Sequence, residues 1–316
     1  MRRMRHWLCV GMWLGGACNR GPLAPETGIA FPGPGQEPEL TRMCEAAVRA
    51  GPGPGFGAPL RGLTPELSAR FEAGHEAFAA AGADVVALRQ TQWFGLGLLD
   101  AVPVRLLRSL ADPRDRDRDG VSGRVRPVPD PVTGGTAVGR FGCKAQVPSV
   151  LAVARALGDA DTDGNRGGDV IAGADFMRLL APPPVAGVPS LAVVQGGQVF
   201  TETGCAACHV PALVTARVAK VPALSERRFF PFTDLLLHDM GALGDGVAQH
   251  GAEAHEMRTA PLWGLRVRTR YLHDGRAATV TDAIRAHAGE AARARDAFER
   301  LEPERRAALL AFLGFL

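Results

Sequence analysis

Apolar residues along the chain recur mostly at helical spacing. In LTPELSARFEAGHEAFAAAG, Leu67, Phe71 and Phe78 fall near one face. Thr64 stands at the N-cap, Pro65 takes the first helical position, and Gly82 can end the helix. FGLGLLDAVPVRLLRSLADP is apolar with the same spacing and breaks or restarts at Pro103. PSVLAVARALG and GADFMRLLAPPP read as two more helices, the second stopped by its prolines. LAVVQGGQVFTETG gives a short apolar helix, and RRAALLAFLGFL closes the chain with another. Thr279 and Asp282 form a capping box, so a helix should start near Val280 and carry His287 two turns in. Strand signals are few and short. The pattern predicts a mainly α fold with long loops.

Proline and glycine divide this pattern into four segments. Residues 1–18 combine an Arg-rich start, a short apolar run and small residues before Cys18, the layout of an export signal. LGGAC also resembles a lipoprotein box that would make Cys18 a lipidated membrane anchor, although Gly15 stands where Leu is usual. Residues 19–60 form a Pro/Gly-rich linker. Residues 61–184 make a helical, loop-rich N-terminal domain, and residues 185–316 a second domain beyond the prolines at 182–189. The expected location is the periplasm or, for a lipoprotein, the outer membrane.

Composition narrows the function classes. The 316 residues are 46% hydrophobic, enough for a substantial core. The net charge of +3 is spread, with Arg among acids, and four Trp with one Tyr leave few platforms for bases. No nucleic-acid partner is expected. Of the cysteines, Cys9 and Cys18 lie in the signal. Cys44 and Cys143 either form a disulfide in an oxidising compartment or remain two buried thiols.

The remaining pair carries the chemistry. GCAACHV places Cys205 and Cys208 three apart with His209 next, the spacing that bonds both vinyl groups of a haem and sets an imidazole against its iron. A zinc site would want a second Cys/His pair at finger spacing, and a redox pair would want a βαβ surround; neither is present. One covalent haem c is therefore the expected cofactor. Small cytochromes c pack their first and last helices together, and this cytochrome c-like organisation is expected from Val185 to Leu316. The second axial ligand decides whether the iron carries electrons or binds peroxide. Candidates are His238, Met240, His250, His255, Met257, His273 and His287, with His287 favoured by its helix. Arg276, after the His-Asp-Gly turn, is a candidate partner for a loop or a haem propionate.

GCAACHVPAL, PFTDLLLHDMG, MRTAPLWGLRVRTRYLHDGRAATVTDAIRAHAGEA and the closing LLAFLGFL resemble the bacterial di-haem oxidoreductase family, related to di-haem cytochrome c peroxidases. GLGLLDAVP, ADPRDRDRDGVSGR and GRFGCKAQVPS resemble its middle region, so the likeness spans about residues 90 to 316. It implies haem attachment at Cys205 and Cys208, with His209 as proximal ligand. It also places His287 where the peroxidase relatives carry a Met ligand, which favours an iron held by His209 and His287. The departure is the earlier haem motif of the family, which this chain lacks; TRMCEAAVRAG offers Cys44 alone. Cys143 stands where relatives are expected to have Trp. A non-covalent second haem at His75 is the weaker alternative to a surface histidine there.

Two loops, DRDRDG (Asp115, Asp117, Asp119) and DADTDG (Asp159, Asp161, Asp163), alternate carboxylates before a Gly, a pattern that can gather oxygens around Ca²⁺. Neither has the EF-hand Glu at position twelve, and solvated acidic turns look the same. The reading favoured by the sequence is an exported mono-haem electron carrier whose partners are small redox proteins or another haem protein. A haem peroxidase with an open or displaceable axial site, and a non-catalytic haem- and Ca-binding scaffold, are the alternatives.

Overall fold

The computed structural model describes Met43 and residues 57–80, 93–158 and 170–316. Cys9, Cys18, Cys44, Asp159, Asp161 and Asp163 lie outside the described residues.

Helix α1 (Pro65–Ala80) starts where its cap predicts: Thr64 Oγ1 accepts the Leu67 N–H at 3.3 Å. Pro103 separates α2 (Leu96–Asp100) from α3 (Val104–Leu110) and stands at the N-cap of the latter. Next come α4 (Val150–Gly158) and α5 (Val170–Leu179). Phe71 and Phe78 of α1 pack on Phe176 of α5, each with ring centroids 5.2 Å away. His75 also lies on Phe176, at 5.3 Å, so it is a half-buried packing residue.

The helix α6 (Leu191–Glu202) precedes the Cys motif and is capped by Ser190 Oγ, which accepts the Val193 N–H at 3.3 Å. After α7 (Val280–Arg285) and α8 (Ala292–Glu299), the chain ends in α9 (Pro303–Leu313). α6 and α9 touch backbone to backbone. A Cβ on Gly196 would lie 1.9 Å from the Ala308 carbonyl oxygen, so only glycine permits the crossing. Phe200, Phe232 and Phe312, all fully buried, lock the junction with centroid distances of 5.4–5.8 Å.

The fold class read from periodicity needs correction. The described residues are 42% helical and 11% strand and hold several small antiparallel sheets, so the arrangement is not the mainly α, cytochrome c-like one expected. Between the end of α6 and the start of α7 there is no α-helix; short 3₁₀ turns and two-stranded ladders fill the interval. β1 (Pro127–Pro129) pairs with β2 (Thr136–Val138), β3 (Leu213–Val214) with β4 (Arg228–Phe229), and β5 (Leu237–Asp239) with β6 (Glu256–Arg258), all antiparallel. Strands of two or three residues are too short to print a period-two pattern, which is why the sequence hides them.

Buried cations hold the loops that these short strands cannot. Lys144 is fully buried, and its Nζ donates to the carbonyls of Glu253, Ala254 and Glu256 and pairs with Asp245 at 2.9 Å. Arg126 donates to the carbonyls of Lys144 and His250, and Arg124 pairs with Glu256. These contacts fix β5 and β6 against the chain at 124–144. No helix among the described residues is long and apolar enough to cross a membrane.

Candidate haem site

The C-terminal end of α6 delivers the motif. Gly204 turns the chain at φ 83°, Cys205–Ala207 wind into a 3₁₀ turn, and the His209 N–H bonds the Cys205 carbonyl at 3.0 Å. This turn brings both sulfurs and the following imidazole together. Burial pushes both thiols up, so they are un-ionised.

His209 Nδ1 lies 3.0 Å from the Phe232 carbonyl oxygen. A carbonyl only accepts, so Nδ1 carries the proton and Nε2 keeps its lone pair. His287 repeats the arrangement: its Nδ1–H donates to the Ala283 carbonyl at 2.7 Å. Burial lowers the His209 pKa to about 4, with nearby His287 adding to the effect, and burial lowers that of His287 as well. Both rings are therefore neutral imidazoles with Nε2 available as a ligand. Their centroids stand 6.5 Å apart with planes at 52°. A metal about 2.0–2.1 Å from one nitrogen of each ring would separate the centroids by roughly 6.4 Å. Cys205, Cys208, His209 and His287 all line one cavity of about 860 Å³, within the range of cofactor pockets.

The model of the family described as "Di-haem oxidoreductase, putative peroxidase" matches residues 82–167 and 162–316, more than half of the chain. The chain belongs to this di-haem oxidoreductase family. No curated protein matches it. Membership implies a haem cofactor, and the donor set fits one: two thiols three positions apart on one cavity wall and two neutral imidazoles at the gap an iron would span.

The remaining candidates within this family member separate clearly. His287 lies just past α7, which stops at Arg285, and not two turns into a helix as the pattern predicts. The capping box at Thr279 and Asp282 is present, so the start of α7 is where the sequence puts it. His238 is held at both ring nitrogens by carboxylates, 2.8 Å from Asp234 and 2.7 Å from Glu290, which takes it out of axial ligation. His250 and His255 are exposed. Met240, Met257 and His273 share the cavity wall. Arg276 pairs with Asp274 and does not line the cavity; Arg258, Arg268, Arg293, Arg295 and Arg300 do. Burial lowers the Arg258 pKa to about 10, so it remains a cation at neutral pH. Cys143 is buried in the same wall.

The carboxylate oxygens of Asp115, Asp117 and Asp119 lie within 4.8 Å of one another. They also accept backbone N–H groups of their own loop: Gly120 to Asp115, Asp119 to Asp117, and Val121 to Asp119. Sequence reasoning missed Asp234, Glu290 and Ser122, which surround His238. The Asp234/His238 spacing of four residues was the available signal; Glu290 is 52 positions from His238 and gave none.

Proposed function

We propose that the protein is an exported c-type haem protein that transfers electrons, a mono-haem member of the di-haem oxidoreductase family. The opposed pair His209 and His287, facing a cavity shared with Cys205 and Cys208, carries this reading. A bound haem supplies one-electron chemistry at iron. Cys205 and Cys208 would tether it; His209 and His287 keep their Nδ1 protons on backbone carbonyls, which leaves each Nε2 free to hold the metal. Phe200, Leu265 and Ile284 on the cavity wall would shield it from water. Two strong ligands would leave no open position, and ligation by two imidazoles would give a lower potential than His/Met, which suits a respiratory or donor-side role. The partners are small redox proteins or another haem protein. Export accords with haem attachment outside the cytoplasm, with Cys18 as the candidate anchor and the Asp115–Asp119 loop as a weak Ca²⁺ site.

Expression with haem-attachment machinery tests the proposal. One haem per chain and a low-spin spectrum unmoved by peroxide or cyanide are expected; two haems or a high-spin ferric signal would contradict it. A peroxidase is the second reading, favoured by the family description and by the position of His287 outside the rigid body of α7. A ferric spectrum that changes on adding peroxide would select it.

A further inference from the structure

Among the described residues, a second polar constellation is centred on His238. Its side chain is 2% exposed on β5, with Nε2 2.8 Å from Asp234 Oδ2 and Nδ1 2.7 Å from Glu290 Oε2. Each carboxylate also accepts hydrogen bonds from other partners. Asp234 Oδ1 accepts the Leu236 N–H. Glu290 accepts the Ser122 N–H at 2.9 Å, the Ser122 hydroxyl at 2.7 Å and the Asp239 N–H at 3.2 Å. Both ring nitrogens of His238 face carboxylate oxygens, the arrangement in which an imidazolium donates from both sides. Burial opposes that charge, but Asp234 and the bonds to Cys208 and Glu290 outweigh it and raise the His238 pKa far above the ordinary imidazole value. Two negative charges and one positive leave one net negative charge.

This cluster touches the haem position directly. His238 Nδ1 lies 3.6 Å from Cys208 Sγ, and the Asp234 N–H bonds the Cys208 carbonyl at 3.1 Å. Glu290 follows His287 by three residues. The backbone of Gly123 closes the other side: a Cβ there would lie 2.5 Å from His238 Cε1, so glycine is needed for the approach.

We propose that Asp234, His238 and Glu290 form a fixed-charge device that holds low the potential of a haem bonded at Cys208. The inference rests on the haem reading above. A buried negative charge stabilises the oxidised iron, which carries one more positive charge than the reduced form. His238 acts as a positioning residue: it fixes the two carboxylates beside the thioether and does not meet the iron.

Spectroelectrochemical titration of the holoprotein and of Glu290→Gln, Glu290→Asp and Asp234→Asn tests it. Glu290→Gln and Asp234→Asn each remove one negative charge and should raise the midpoint potential while the low-spin spectrum stays unchanged. Glu290→Asp keeps the charge and should stay near the wild-type potential. A Glu290→Gln potential equal to wild type, or Glu290→Asp shifting as far as Glu290→Gln, overturns the proposal. If the variants fail to accumulate, nitrogen-15 NMR of the histidines in the reduced wild-type protein decides. Two ring protons on His238 across the neutral range support the device, and a singly protonated ring overturns it. Wild-type protein without haem would instead overturn the haem reading and with it the proposal; the NMR result on His238 tells that failure apart from a wrong charge assignment.

Discussion

Acid should unfasten this protein through Glu290. Its side chain is 10% exposed and bonds His238 at 2.7 Å. Burial alone would raise its pKa, but the bonds from His238 and Ser122 outweigh burial and lower it from 4.5 to about 2. A carboxylate with a depressed folded-state pKa stabilises the fold fully above its unfolded pKa and loses that contribution as pH falls through the folded value. At about 1.4 kcal/mol per pH unit, Glu290 contributes roughly 3 kcal/mol near neutrality, of which about 2 kcal/mol is gone by about pH 3. His238 has the opposite sign. Its raised pKa contributes fully below about pH 6.5 and fades only as pH climbs toward the folded value. The cluster is therefore most stabilising between about pH 4.5 and about 6.5. Guanidinium unfolding of wild type and Glu290→Gln at about pH 6 and about pH 3 measures the effect. The gap between the two proteins should narrow by about 2 kcal/mol on acidification. Parallel stabilities at the two pH values would refute the reasoning.

Three further outcomes are expected. Phe312→Ala empties the junction of Phe200 and Phe232 and should cost about 3–5 kcal/mol in denaturant unfolding. Lys144→Met leaves Asp245 and three carbonyls without their buried cation and should cost about 3–5 kcal/mol by the same assay, with the tie between 144 and 253–256 lost. His287→Ala should turn a low-spin ferric spectrum high-spin; an unchanged spectrum would move the axial assignment to Met240, Met257 or His273 on the same cavity wall.

What the sequence discloses here is what is local. Thr64 and Pro65, Pro103, and the box at Thr279 and Asp282 each act within one turn, and each marks a helix start that the structure contains. The haem motif is legible because both sulfurs and His209 share a single turn. The short ladders β3–β4 and β5–β6 are invisible because two or three residues cannot establish a period. His287 sits past its helix because the turn tightens: its N–H bonds the carbonyl of Ile284, three residues back. Arg276 is claimed by Asp274, two residues away, and so leaves the cavity to more distant arginines. The cluster around His238 joins positions 122, 234, 238 and 290, and only the folded chain brings them together.

The most direct test of the central claim is the intact mass of the denatured protein after maturation with haem-attachment machinery. One haem that stays with the polypeptide through denaturation, and is lost when Cys205 and Cys208 are both replaced by Ala, is the expected result. A bare polypeptide, or haem that washes out with acid, would contradict the assignment.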